Sequence, residues 1–99
     1  MPRIAQLRNR LNTLDAQLVE LLAERMLVSR ELAPLKQARG METLQPAVWE
    51  GQLAVSLKHA EELELDTGFV REVFELIHQQ SVAIQLNELQ KNKWNDQLN

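Results

Sequence analysis

Ninety-nine residues make one domain on the usual scale of about 100–150 residues, so there is room for a single core and none for a multidomain enzyme. Eleven Lys and Arg against 14 Asp and Glu leave a net charge of −3, which argues against a protein that works on phosphate backbones or anionic lipid. With 44% hydrophobic and 25% charged residues the composition is that of a folded chain, and the lack of cysteine removes disulfides, thiol nucleophiles, iron–sulfur clusters and thiolate zinc sites.

The first residues, Met1-Pro2-Arg3-Ile4-Ala5-Gln6-Leu7-Arg8, contain no apolar h-region, and no run of 18 apolar residues occurs, so a cytoplasmic protein with no membrane contact is expected. From Ile4 onward apolar residues fall at Leu7, Leu11, Leu14, Leu18, Leu21, Val28, Leu32 and Leu35, the alternation of three and four steps that marks a helical seam. One position breaks it: Arg25 places a permanent charge on the stripe. Gly40 is a natural stop, so the spacing predicts helix one over roughly residues 4–38, with Pro34 removing the donor that would bond the Arg30 carbonyl and kinking the helix there. Such a helix is about 50 Å long. A compact chain of this size has a radius of gyration of about 13 Å, so one copy cannot bury the seam. An intertwined homodimer is therefore expected, with two long helices lying together and the rest of each chain packed across them.

Residues 41–45 read as a loop, and Pro46 suits the first position of helix two. Trp49, Leu53, Leu57 and Ala60 then repeat at helical spacing to about Leu63, a pattern in which Trp49 belongs to the core. Asp66 or Thr67 can cap helix three, whose apolar face is Val70, Val73, Phe74, Ile77 and Ile84 with Ser81 set into it. Residues 87–99 are polar and expected to fray. The predicted fold class is all-α, three helices in one domain with a core over residues 4–86 and no strand signal.

Polar groups on apolar faces cost free energy unless something neutralises them. The 11 steps from Arg25 to Lys36 return to within about 20° of the same face, so both can point into one pocket. Arg8 stands roughly 100° away from Arg25 and does not easily serve that pocket in its own chain, though it could serve the pocket of a second copy. Ser81 and Gln85 are neighbours at i and i+4. Cations, a hydroxyl and an amide on converging faces suit a small dicarboxylate. The plainer readings are that Arg25 pairs with a glutamate of another helix, that Lys36 is solvated, and that Ser81 and Gln85 are merely tolerated at a helix end. His59 and His78 have no second ligand at i+3 or i+4, so no metal site is expected, and no Ser/His/Asp triad can be drawn.

At these residues the chain resembles the small all-α (AroQ-class) chorismate mutases. Leu7-Arg8-Asn9-Arg10-Leu11-Asn12-Thr13-Leu14-Asp15 is similar to that family's opening LRxxIxxLD, and Leu21-Leu22-Ala23-Glu24-Arg25-Met26 to its LLAERM. Leu65-Asp66 and the stretch from Ile77 through His78 and Ser81 to Gln85 resemble its LD and IHxxSxxxQ, so the likeness covers about residues 4–86. The resemblance implies an intertwined helical dimer and the cofactor-free Claisen rearrangement of chorismate to prephenate. It also implies roles: Arg25, with Arg8 from the partner subunit, for the two carboxylates, Lys36 and Gln85 for the ether oxygen, and Ser81 for positioning a carboxylate.

Helix two departs from the family pattern of an Asp a few residues before an Arg-Glu pair. Aligned without a gap, those places hold Gln45, Val48 and Trp49; shifted by one residue, Glu50 falls at the glutamate position, with Trp49 for the arginine and Pro46 for the aspartate. Gln45 and Glu50 are thus the candidates for the substrate's hydroxyl end. Isochorismate-pyruvate lyases, which resemble this chain in keeping the cations and lacking those acids, and aminodeoxychorismate mutases are alternatives on the same fold. A non-catalytic dimerisation or regulatory homologue is a third, against which leucine would serve a pure dimerisation seam better than Arg25 does.

Overall fold

A computed structural model of the chain describes residues 2–98. It contains three helices, α1 (Pro2–Ala38), α2 (Pro46–Glu62) and α3 (Thr67–Leu98), and no strand among the described residues. None of the helices is long and apolar enough to cross a membrane. Helix α1 continues through Pro34, which is exposed beside the buried Ala33.

The helix ends follow local chemistry. At the end of α1, Gly40 adopts φ 69° while the Met41 N–H donates to the Lys36 carbonyl (2.8 Å) and the Gly40 N–H to the Gln37 carbonyl (3.0 Å). This is a Schellman closure, which needs a left-handed residue at that position. Helix α2 opens with Pro46 in its first turn and closes in the same way, Leu65 N–H to Ala60 carbonyl (2.9 Å) and Glu64 N–H to Glu61 carbonyl (3.0 Å), but with Glu64 at φ 60° where glycine would be unstrained. Asp66 caps α3, its Oδ1 accepting from the Phe69 N–H at 3.0 Å.

Helix α3 packs against both other helices, whereas α1 and α2 do not pack on each other. Side-chain pairings ascend together along α1 and α3, from Arg25 with Ser81 to Lys36 with Gln85. The C-terminal segment, expected to fray, instead continues α3 to Leu98. Two features support the first part of that extension: Arg30 of α1 lies 3.8 Å from Glu88, and Glu88 and Leu89 are half-buried.

The core of one chain is small. Ala33, Leu53, Ala60 and Val70 are buried, alongside the polar Ser29, Ser81 and Gln85. Every apolar member of the α1 seam is exposed, from Ile4 at 46% through Leu18 at 58% to Leu35 at 63%. The radius of gyration is 17.8 Å and the extents are 62 × 30 × 16 Å, well beyond the roughly 13 Å of a compact chain this long.

Candidate functional site

Between α1 and α3 the buried polar residues form two hydrogen-bonded groups. The Arg25 Nη1 donates to Ser81 Oγ at 2.9 Å, and Ser81 Oγ lies 3.0 Å from Ser29 Oγ and 3.7 Å from Met26 Sδ. Three turns further along, Lys36 Nζ donates to Gln85 Oε1 at 2.9 Å and to the Thr43 carbonyl of the α1–α2 loop at 3.3 Å. No buried side-chain nitrogen or oxygen among the described residues lacks a partner.

Neither cation meets a carboxylate. Among the described residues the ion pairs are Arg30 with Glu88 and His59 with Glu62, so the alternative in which Arg25 neutralises a glutamate of its own chain does not occur. Ser81 engages one end of the Arg25 fork and leaves its other N–H groups available. Both cations open onto a cleft of about 450 Å³, within the roughly 300–1,000 Å³ typical of small-molecule sites. Its floor is built from Arg25, Ser29, Leu32 and Lys36 of α1 and from His78, Ser81 and Gln85 of α3, and its rim from Thr43, Gln45, Val48, Trp49 and Gln52. No Asp or Glu lines it.

In the same cleft, the Trp49 and His78 rings stack at a centroid distance of 4.1 Å and an interplanar angle of 9°. Burial lowers the His78 pKa, and the neighbouring Arg25 and Lys36 charges lower it further, so the imidazole is neutral at pH 7.

The residues expected from the sequence are not all brought together. Arg25, Lys36, Gln45, Ser81 and Gln85 line the cleft. Glu50 is exposed and outside it, since α2 turns Gln45, Val48, Trp49 and Gln52 toward the cleft instead. Arg8 is exposed on α1, and the 17 residues to Arg25 correspond to about 25 Å of helix, out of reach of this cleft. Trp49 is half-buried at the rim rather than enclosed in a core. Sequence reasoning missed Ser29 and the partnership of Trp49 with His78. Ser29 follows Arg25 by one turn, and His78 precedes Ser81 by three residues, so helical spacing could have placed both beside the cations.

Fold and cleft together define an all-helical protein whose long first helix carries a pair of cations into one small-molecule-sized pocket lined from α3 by Ser81 and Gln85. The family model described as Chorismate mutase type II matches residues 7–86, and the chain belongs to that family. No curated protein and no solved structure gives a significant match.

Proposed function

We propose that this chain is a chorismate mutase, converting chorismate to prephenate as a homodimer. The observation that carries the reading is the pair of cations, Arg25 and Lys36, that face one cleft with no carboxylate to neutralise them. Uncompensated charge of this kind is costly in a free protein and is offset when an anion binds.

The rearrangement breaks the ether C–O bond and forms a C–C bond within one molecule, so no nucleophile, redox partner or cofactor enters the balance. What a protein contributes is the folded substrate geometry and stabilisation of charge developing on the ether oxygen. Arg25, with Ser81 holding one side of its fork, binds a carboxylate. Lys36 and the Gln85 amide meet the ether oxygen. Arg8 of the partner subunit would bind the second carboxylate, and Gln45 stands at the ring-hydroxyl end. The corresponding setting is aromatic amino acid biosynthesis in the cytoplasm.

A second reading is favoured by the acid-free rim. A cleft with cations and no carboxylate also suits isochorismate-pyruvate lyase chemistry, in which the ring–oxygen bond of the ether breaks while a ring hydrogen passes to the enolpyruvyl methylene, giving pyruvate and an aromatic ring.

The test offers purified protein chorismate, isochorismate and aminodeoxychorismate separately, with chromatographic resolution of prephenate, salicylate with pyruvate, and aminodeoxyprephenate. Prephenate well above the uncatalysed background supports the mutase, and salicylate with pyruvate the lyase. Arg25→Ala should lower kcat/KM by at least about 100-fold, the scale of losing a charge-stabilising donor, while the helical content is retained. Full activity in that variant would sink the site assignment.

A further inference from the structure

The cleft has two kinds of lining: the cations Arg25 and Lys36, and the stacked Trp49 and His78 rings with Val48 and the Gln45 and Gln52 amides. A second cavity of about 360 Å³ shares Arg25, Trp49 and Gln52 with the first, so these three residues border both. Neither cavity is lined by Asp or Glu, and Glu50, the nearest acid along α2 to Trp49, is exposed and outside both.

We propose that the Trp49–His78 stack is the specificity wall of this site: it receives the uncharged, planar end of a cyclic dicarboxylate and rejects a ligand that carries an ammonium group there. This rests on the dicarboxylate reading of the cleft and adds which member of that ligand class it takes. Selectivity follows from what the wall lacks. A hydroxyl-bearing ring lies against the aromatic surface with its hydroxyl within the reach of a neutral imidazole and the glutamine amides, each able to donate or accept. An ammonium loses water on entering the cleft and finds no carboxylate among the lining residues. Discrimination of this kind arises from an unpaired charge in the wrong complex, not from a stronger bond in the right one. The imidazole, neutral at pH 7 because its pKa is lowered, supplies no counter-charge for an ammonium.

Two probes of the same shape test this without turnover: 3-(1-carboxyvinyloxy)benzoate bearing a 4-hydroxymethyl group, and its 4-aminomethyl counterpart. Neither can rearrange, because the ether oxygen is joined to an aromatic ring. Binding is measured by titration calorimetry at pH 7, and in a Trp94→Phe background by the emission of Trp49. The wild-type protein is expected to bind the hydroxymethyl probe at least about tenfold more tightly, with a change in Trp49 emission. Trp49→Glu should narrow or reverse that preference by supplying the missing counter-charge. His78→Glu does the same from α3, should Trp49→Glu fail to fold. Equal affinities in the wild-type protein, or an unchanged preference in a folded glutamate variant, would overturn the wall while leaving the dicarboxylate reading standing. Failure of both probes to bind would overturn the two together.

Discussion

A single charged side chain on an otherwise apolar stripe is what made the site legible. Arg25 interrupts the seam of α1, and the angular step to Lys36 puts both on one face; the structure brings both to one cleft with Ser81 and Gln85. Spacing cannot show a contact between helices, so the Trp49 and His78 rings, which belong to different elements, were invisible as a pair. Trp49 fits the apolar period of α2, and that period alone places it in the core. Their stacking has a consequence for pH. The pKa of His78 is lowered in the fold by burial and by Arg25 and Lys36, the charged groups of α1 that share its cleft, while the face of Trp49 covers it from α2. Unfolding returns the imidazole to its ordinary value of about 6.5, so below that pH the unfolded chain binds the extra proton. Stability should therefore fall as pH drops below about 6.5 and be unaffected by this group above it. Thermal unfolding between pH 7.5 and 5.5 should show a shallower slope in His78→Phe than in the wild-type protein. Identical slopes would place the imidazole's protonation outside the folding equilibrium.

At the scale of the element, the helix starts were written in local residues: Pro46 opens α2 and Asp66 caps α3. The stops were less uniform. Gly40 ends α1 as glycine commonly does, yet α2 ends in the same backbone geometry with Glu64 in the left-handed position. A reader looking for glycine at that boundary has no signal there. The far end of α3 misled for another reason: a polar tail reads as frayed, whereas residues 87–98 remain helical, with Glu88 near Arg30 and Leu89 half-buried. The Glu64 strain is open to measurement. A non-glycine residue in this conformation costs about 1–2 kcal/mol, and glycine returns about 0.5–1 kcal/mol of that through the entropy of the unfolded chain. Glu64→Gly should thus raise stability by about 0.5–1 kcal/mol in denaturant unfolding, with the m-value unchanged. A loss of stability would mean that the Glu64 side chain contributes more than its backbone strain.

At the scale of the whole molecule, the single chain leaves most of its apolar surface uncovered. The seam from Ile4 to Leu21 is exposed, the buried residues of the described chain are only Ala33, Leu53, Ala60 and Val70 with the polar Ser29, Ser81 and Gln85, and the shape is elongated. An apolar face of that length on an isolated helix points to a second copy, and the same extension carries Arg8 about 25 Å beyond its own Arg25. If two chains pair so that each supplies Arg8 to the other's cleft, every site is composite, and genetic complementation reads this directly. An Arg8→Ala dimer lacks Arg8 at both sites, and an Arg25→Ala dimer lacks Arg25 at both. Mixing the two after denaturation makes about half the dimers mixed, and each mixed dimer holds one intact site and one doubly damaged one. Activity should recover to about a quarter of the wild-type value at equal total protein. Co-refolding with sedimentation to verify the dimer, followed by the product assay, measures it. If the refolded mixture is dimeric and stays as inactive as its components, Arg8 is not supplied across the interface, whereas full activity of Arg8→Ala alone would show that Arg8 has no part in the cleft.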